Sequence, residues 1–156
     1  MSGTFKLLWD NNYLYVLGQI VDDTKLSDSD PVYQDDGVEM YFDFANDKPA
    51  TYAGNDAQYS FKWNSTAISA NPSGKSTSGI NCSMASTTSG YTFEARFSWS
   101  NMGGATFANQ LHGFDFQLND DDNGGDRDGK LSWNAATDDA WQNPALFGTI
   151  ILKEVF

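Results

Sequence analysis

An all-β fold, an antiparallel β-sandwich of jelly-roll type, is predicted by three observations. Apolar and polar residues alternate at period two along most of the chain. Clusters of Asn, Asp, Gly and Pro separate the alternating runs, and no segment sustains a helical period. The runs number about eight to ten, as in sandwiches and jelly rolls. A length of 156 residues suits one domain, spanning 1–156.

The elements follow in order. Phe5, Leu7 and Trp9 share a face, Asp10-Asn11-Asn12 is turn chemistry, and Tyr13 to Val21 returns, so the first predicted unit is a hairpin. A polar loop from Asp22 to Asp30 ends at Pro31. The next strand puts Val38, Met40, Phe42 and Phe44 on one face and Glu39, Tyr41 and Asp43 on the other. After a loop over Asn46 to Asp56, Tyr59, Phe61 and Trp63 point inward, with Gln58, Ser60 and Lys62 outward. The Ser/Thr/Gly-rich middle holds edge strands near Ser69 and near Cys82 to Ala85. Tyr91, Phe93, Ala95, Phe97 and Trp99 line one face of a long strand. Gly113 to Leu118, Lys130 to Asn134 and Gly148 to Leu152 complete the set.

Composition excludes several functions. Lys and Arg total 9 against 21 Asp and Glu, a net charge of −12. That sign opposes nucleic acid, whose binding needs cations to displace counterions, and it opposes an anionic membrane. No apolar run is long enough to span a bilayer. The acid excess suits a solvated surface, cation binding or a neutral polar ligand. A single cysteine, Cys82, precludes an internal disulfide and reads as a small buried thiol. With one histidine, a zinc site or a Cys-His pair has no support. His112 itself reads as a plain boundary residue before a strand. The opening Met1-Ser2-Gly3, followed at once by a strand, reads as the start of a piece of a longer secreted polypeptide.

Three groups of residues are candidates for function. Tyr33 and Trp141 lie outside the strand alternation, in polar stretches, where a ring can stack on the apolar face of a pyranose. Glu39, Gln58, Ser60 and Lys62 form an outward polar row that supplies acceptors and donors for hydroxyl groups, unless it is simply a solvated sheet face. The loop from Asn119 to Gly129 concentrates carboxylates among glycines and suits calcium through Asp120, Asp122 and Asp126, though it does not match the EF-hand template. Asp22, Asp23, Asp28 and Asp30 form a second acidic group. The alternative reading for either is a solvated acidic loop.

Five blocks, in order and spacing, resemble carbohydrate-binding module family 9, the xylanase-associated type. They are Phe5 to Val16, Tyr33 to Asp43, Asn55 to Tyr59, Gly113 to Asp120, and the closing pair Lys130 to Asn134 with Trp141 to Thr149. The resemblance implies a jelly-roll sandwich, structural calcium, and a slot that grips the end of a glycan chain between two rings. It assigns those rings to Tyr33, where the family's pattern has Trp, and to Trp141, and it assigns a sugar contact to Glu39. Ser60 stands where the family has Arg, and Asp138 where it has Asn; Lys62 is expected to replace the missing Arg. The family's usual opening segment is absent, so an exposed sheet edge is expected from Phe5 to Trp9. The function implied is non-catalytic. Tyr33 and Trp141 stack a xylan- or cellulose-type sugar, Glu39, Gln58, Lys62 and Asp138 read its hydroxyls, and an attached glycoside hydrolase is held at its substrate. The alternative is a calcium-stabilised structural or interaction sandwich whose sugar site has decayed.

Overall fold

The computed structural model describes residues 1–154 as two packed antiparallel sheets. The first has the order β1-β2-β7-β6, from β1 (Ser2–Trp9), β2 (Tyr13–Val21), β6 (Asn81–Thr87) and β7 (Gly90–Ser98). The second has the order β10-β8-β3-β4-β5, with β9 also paired to β8. Its strands are β3 (Gly37–Asp43), β4 (Asp56–Lys62), β5 (Ile68–Asn71), β8 (Leu111–Asp120), β9 (Gly129–Ser132) and β10 (Gly148–Ile151). The all-β sandwich expected from the alternation is therefore the fold.

Local chemistry sets the first hairpin. Asp10 Oδ1 accepts the backbone N–H groups of Asn12 at 2.7 Å and Tyr13 at 2.8 Å, closing the turn from the side chain. Where β7 begins against β2, Gly90 has φ +152° and a Cβ there would meet Ile20 O at 2.2 Å, so only glycine fits. Between the sheets the inward rings interdigitate. Phe61 and Phe93 lie 5.0 Å apart and Phe42 and Phe97 5.2 Å apart, both tilted. Phe5 stacks on Phe116 at 5.0 Å, which anchors β1 even though that strand is an edge of its sheet, with Leu8 exposed on the far face.

Two readings change. The outer face of β3 is not solvated: all seven residues of the strand are buried. Tyr41 packs on Phe147 at 5.4 Å and joins Ala140 and Phe147 in a second small core. The segment after β9 thus lies across this sheet and turns its polar row into the floor of a covered site. His112 is no boundary residue either. It is 2% exposed, its ring stacks on Trp99 at 5.5 Å, and Nδ1 donates to Phe44 O at 2.7 Å. Burial lowers its pKa. Cys82 is half-buried on β6, and burial pushes its thiol up.

Candidate functional site

The polar row of the six-stranded sheet opens into a cavity of about 400 Å³. Neighbouring strands place the floor residues by register. Glu39 on β3 is opposite Ser60 on β4, and Ser60 is opposite Ser69 on β5, so the three side chains lie in one row. Gln58, Asn71, Lys130 and Arg127 complete the polar wall. Tyr33, on a short 3-10 turn at Val32–Gln34, and Trp141, in the covering segment, line the same cavity. They are 46% and 52% exposed, unlike the core rings, so their faces are free to meet a ligand.

Every charge in the floor has a partner. Glu39 Oε2 accepts from Tyr41 Oη at 2.6 Å and pairs with Lys130 Nζ at 2.9 Å. Lys130 Nζ also reaches Asp138 Oδ1 at 2.7 Å, and the Arg127 guanidinium pairs with the other oxygen of Asp138. Arg127 Nη1 donates to Asn119 Oδ1 at 2.9 Å. Gln58 Nε2 donates to Tyr41 Oη at 3.2 Å, while Gln58 Oε1 accepts from Asn71 Nδ2 at 3.2 Å. Asn71 Nδ2 also donates to Trp141 O at 2.7 Å, fixing the ring's backbone. Burial disfavours a charged Asp138, but hydrogen bonding and charge from Lys130 and Arg127 outweigh it and hold this carboxyl below its ordinary range. Burial, with Glu39 alongside, raises the Tyr41 phenol far enough that it serves as a neutral donor.

Of the six sugar-contacting residues expected from sequence, Tyr33, Glu39, Gln58, Asp138 and Trp141 line this cavity. Lys62 does not. Its ammonium pairs with Asp35 at 3.0 Å and donates to Ser29 O at 2.8 Å, which turns it away from the slot. The cations that reach the site are Arg127 and Lys130, both missed in the sequence reading. Their signal was faint: Arg127 is the single cation in the acidic loop, and Lys130 opens the strand that follows it. A larger concavity of about 750 Å³ on the outer face of the four-stranded sheet, lined by Lys6, Leu8, Tyr15 and Arg96, has no buried polar side chain in its wall. It lacks the prepared hydrogen-bonding floor that marks a ligand site.

Carboxylates gather in three further places. Ligand oxygens lie within 4.8 Å of one another in Asp22–Asp120–Asp122, in Asp28–Asp35–Asp121 and in Asp43–Asp47–Asp56. Asp120 and Asp122 are thus together as expected, with Asp22 as their third member. Asp126 is in none of the three clusters, and its Oδ1 accepts from Gln34 Nε2 at 3.0 Å. The second acidic group divides, Asp22 joining one cluster and Asp28 another, with Asp23 and Asp30 in neither. Among the described residues each cluster contains at least one buried oxygen with no hydrogen-bond donor: Asp22 Oδ2, Asp56 Oδ1, and, in the remaining cluster, Asp121 Oδ2 and Asp35 Oδ2, the last of which has only the Lys62 ion pair. Such oxygens are costly to bury unmatched, and an all-oxygen set of three carboxylates suits a hard divalent cation. Burial pushes the carboxyls of Asp22, Asp56 and Asp120 up, and that of Asp36, beside two of the clusters, up to about 7.

A two-sheet sandwich with a preformed polar slot flanked by two free rings is the architecture of a non-catalytic carbohydrate-binding module. The chain belongs to the carbohydrate family 9 binding domain-like family, whose model matches residues 1–155. It is 32% identical over 152 residues to exoglucanase XynX of Acetivibrio thermocellus, and 31% identical over 152 residues to endo-1,4-beta-xylanase A of Thermoanaerobacterium saccharolyticum. Each match takes in 97% of this chain but only 14% and 13% of those proteins, so the chain spans a small part of their length. A family 9 carbohydrate binding module from Caldicellulosiruptor kristjanssonii, solved in complex with cellotriose and with glucose, superposes with a TM-score of 0.90 at 30% identity. That superposition covers 99% of this chain and 76% and 78% of the two solved chains.

Proposed function

We propose that the slot binds a short β-linked glucan or xylan segment, with Tyr33 and Trp141 stacking the sugar rings. The observation that carries this reading is the pairing of two half-exposed rings with a buried, hydrogen-bonded polar floor in one cavity. Stacking supplies apolar contact to the C–H faces of the sugar, while the floor supplies direction and selectivity. Glu39, Gln58 and Asp138 accept from or donate to hydroxyl groups, and Arg127 and Lys130 provide the cationic donors. Ser60, Arg127 and Lys130 line the same cavity, so the two cations stand in for the Arg that the family resemblance led one to expect at Ser60. The cellotriose and glucose complexes of the similar module support a glucan-type ligand.

The three carboxylate clusters would hold calcium, which supplies positive charge to the buried oxygens and fixes the loops around the sandwich. The parent polypeptide is read as a secreted polysaccharide-degrading enzyme, because the matched relatives are an exoglucanase and a xylanase much longer than this chain. The module would then keep that enzyme's catalytic domain near its polymer.

Isothermal titration of cellotriose and of xylotriose into the calcium-loaded chain tests the reading. Saturable binding at about one site per chain is expected. A folded chain that gives no heat with either sugar overturns it and favours a structural sandwich.

A further inference from the structure

We infer that occupancy of the Asp28–Asp35–Asp121 cluster by a divalent cation and occupancy of the sugar slot are thermodynamically linked, each raising affinity for the other. The inference rests on the sugar-binding reading and concerns the regulation of that same slot.

Two loops meet at this cluster, and each carries a slot residue. The loop 28–36 supplies Asp28, Asp35 and the ring of Tyr33, and the loop 121–128 supplies Asp121 and Arg127. Direct bonds between the loops are few and polar. Gln34, next to Tyr33, accepts from Arg127 N at 3.0 Å and donates to Asp126 at 3.0 Å. Ser29 Oγ donates to Gly125 O at 2.7 Å. Asp121 is fully buried and gives one carboxylate oxygen to the cluster; its Oδ1 accepts from Asn123 N and Gly124 N, and its Oδ2 has no hydrogen-bond partner among the described residues.

Three carboxylates here face one ammonium, Lys62, which pairs with Asp35. The cluster therefore carries excess negative charge, and without a further cation its members repel across the seam between the loops. A divalent cation neutralises that excess and ties both loops to one point. The consequence for the slot is positional: Tyr33 and Arg127 are held at the spacing a sugar needs. A sugar that bridges Tyr33 and Arg127 closes the same seam from the other side and so favours the cation. Linkage requires the two effects to be equal.

The test is calorimetric titration of cellotriose into the folded wild-type chain with saturating calcium and again with chelator, and of calcium with and without saturating cellotriose. Chelation is expected to weaken cellotriose at least fivefold, and cellotriose is expected to tighten calcium by the same factor. Asp28→Asn, at an exposed position, is expected to give the weak cellotriose affinity even in calcium, whereas Asp23→Asn, an exposed acid outside every cluster, keeps the wild-type response. Equal cellotriose affinity with calcium and with chelator overturns the linkage and leaves sugar binding intact. A chelation effect that survives unchanged in Asp28→Asn also overturns it, since another cluster then carries the effect. Absence of cellotriose binding under both conditions removes the sugar-binding reading itself, and the linkage falls with it.

Discussion

Lys130 Nζ lies 2.9 Å from Glu39 Oε2, and both side chains are almost wholly withdrawn from solvent. Removing one partner of such a pair leaves the other charge buried and uncompensated, which costs about 3 kcal/mol or more. Lys130→Met is therefore expected to lower the unfolding free energy by about that amount, read from urea denaturation. The double variant Glu39→Gln with Lys130→Met leaves no unpaired charge at this position and is expected to recover part of the loss, yet to bind cellotriose weakly. A single variant as stable as wild type would show that Glu39 is stabilised by Tyr41 and Ser60 alone.

The two slot rings make different predictions. Trp141 is 52% exposed, and its backbone carbonyl accepts from the Asn71 side-chain amide, so Trp141→Ala removes a stacking face without opening the core. Cellotriose affinity is expected to fall by roughly tenfold or more, since stacking and apolar burial together contribute well over 1 kcal/mol. The thermal midpoint is expected to move little. Tyr33→Trp enlarges the other ring lining the cavity, and tighter binding is expected. Titration calorimetry with differential scanning fluorimetry separates the two effects; unchanged affinity in Trp141→Ala would place the sugar elsewhere.

The orphaned oxygens predict a strong cation effect on stability. A ligand that binds only the folded state at a hundred times its Kd stabilises by about 2.7 kcal/mol per site. For a chain of this size that corresponds to a rise in Tm of roughly 5–10 °C. Scanning calorimetry with millimolar calcium against chelator measures it. Asp22→Asn, which neutralises the buried member of its cluster, is expected to reduce the rise without abolishing it, because two clusters remain. An identical Tm with calcium and with chelator would mean that the clusters hold no cation.

Much of this was legible in the alternation. Phe93, Ala95 and Phe97 announced β7, and each is buried as the period requires. Tyr33 and Trp141 stood out because they broke the pattern. What could not be read was which outward row is covered. Glu39, Tyr41 and Asp43 look like a solvated face because period two says only that they point away from the main core. The covering segment lies about a hundred residues downstream, and its packing through Ala140 and Phe147 is a tertiary fact. The same limit explains Lys62. Its register beside Ser60 suggested the slot, but Asp35, brought near by the preceding loop, offers a buried carboxylate at 3.0 Å. Arg127 reached the slot unannounced because a loop's direction is not encoded in its spacing. The acidic clusters likewise draw on residues such as Asp22 and Asp120 that are nearly a hundred positions apart.

His112 provides a pH test away from the slot. Its imidazole is buried between Phe44 and Trp99, and burial lowers its pKa from the ordinary value near 6.5. Above the ordinary value the ring is neutral in both the folded and unfolded chain, and its full contribution to stability is present. As the pH falls below that value the unfolded chain takes up a proton first, so stability declines until the folded pKa is reached. His112→Gln keeps a polar side chain but cannot titrate. The stability advantage of wild type over His112→Gln is therefore expected to shrink between pH 7.5 and pH 5, read by urea unfolding at fixed calcium. A pH-independent difference would show that the imidazole titrates alike in both states, its bond to Phe44 O offsetting its burial.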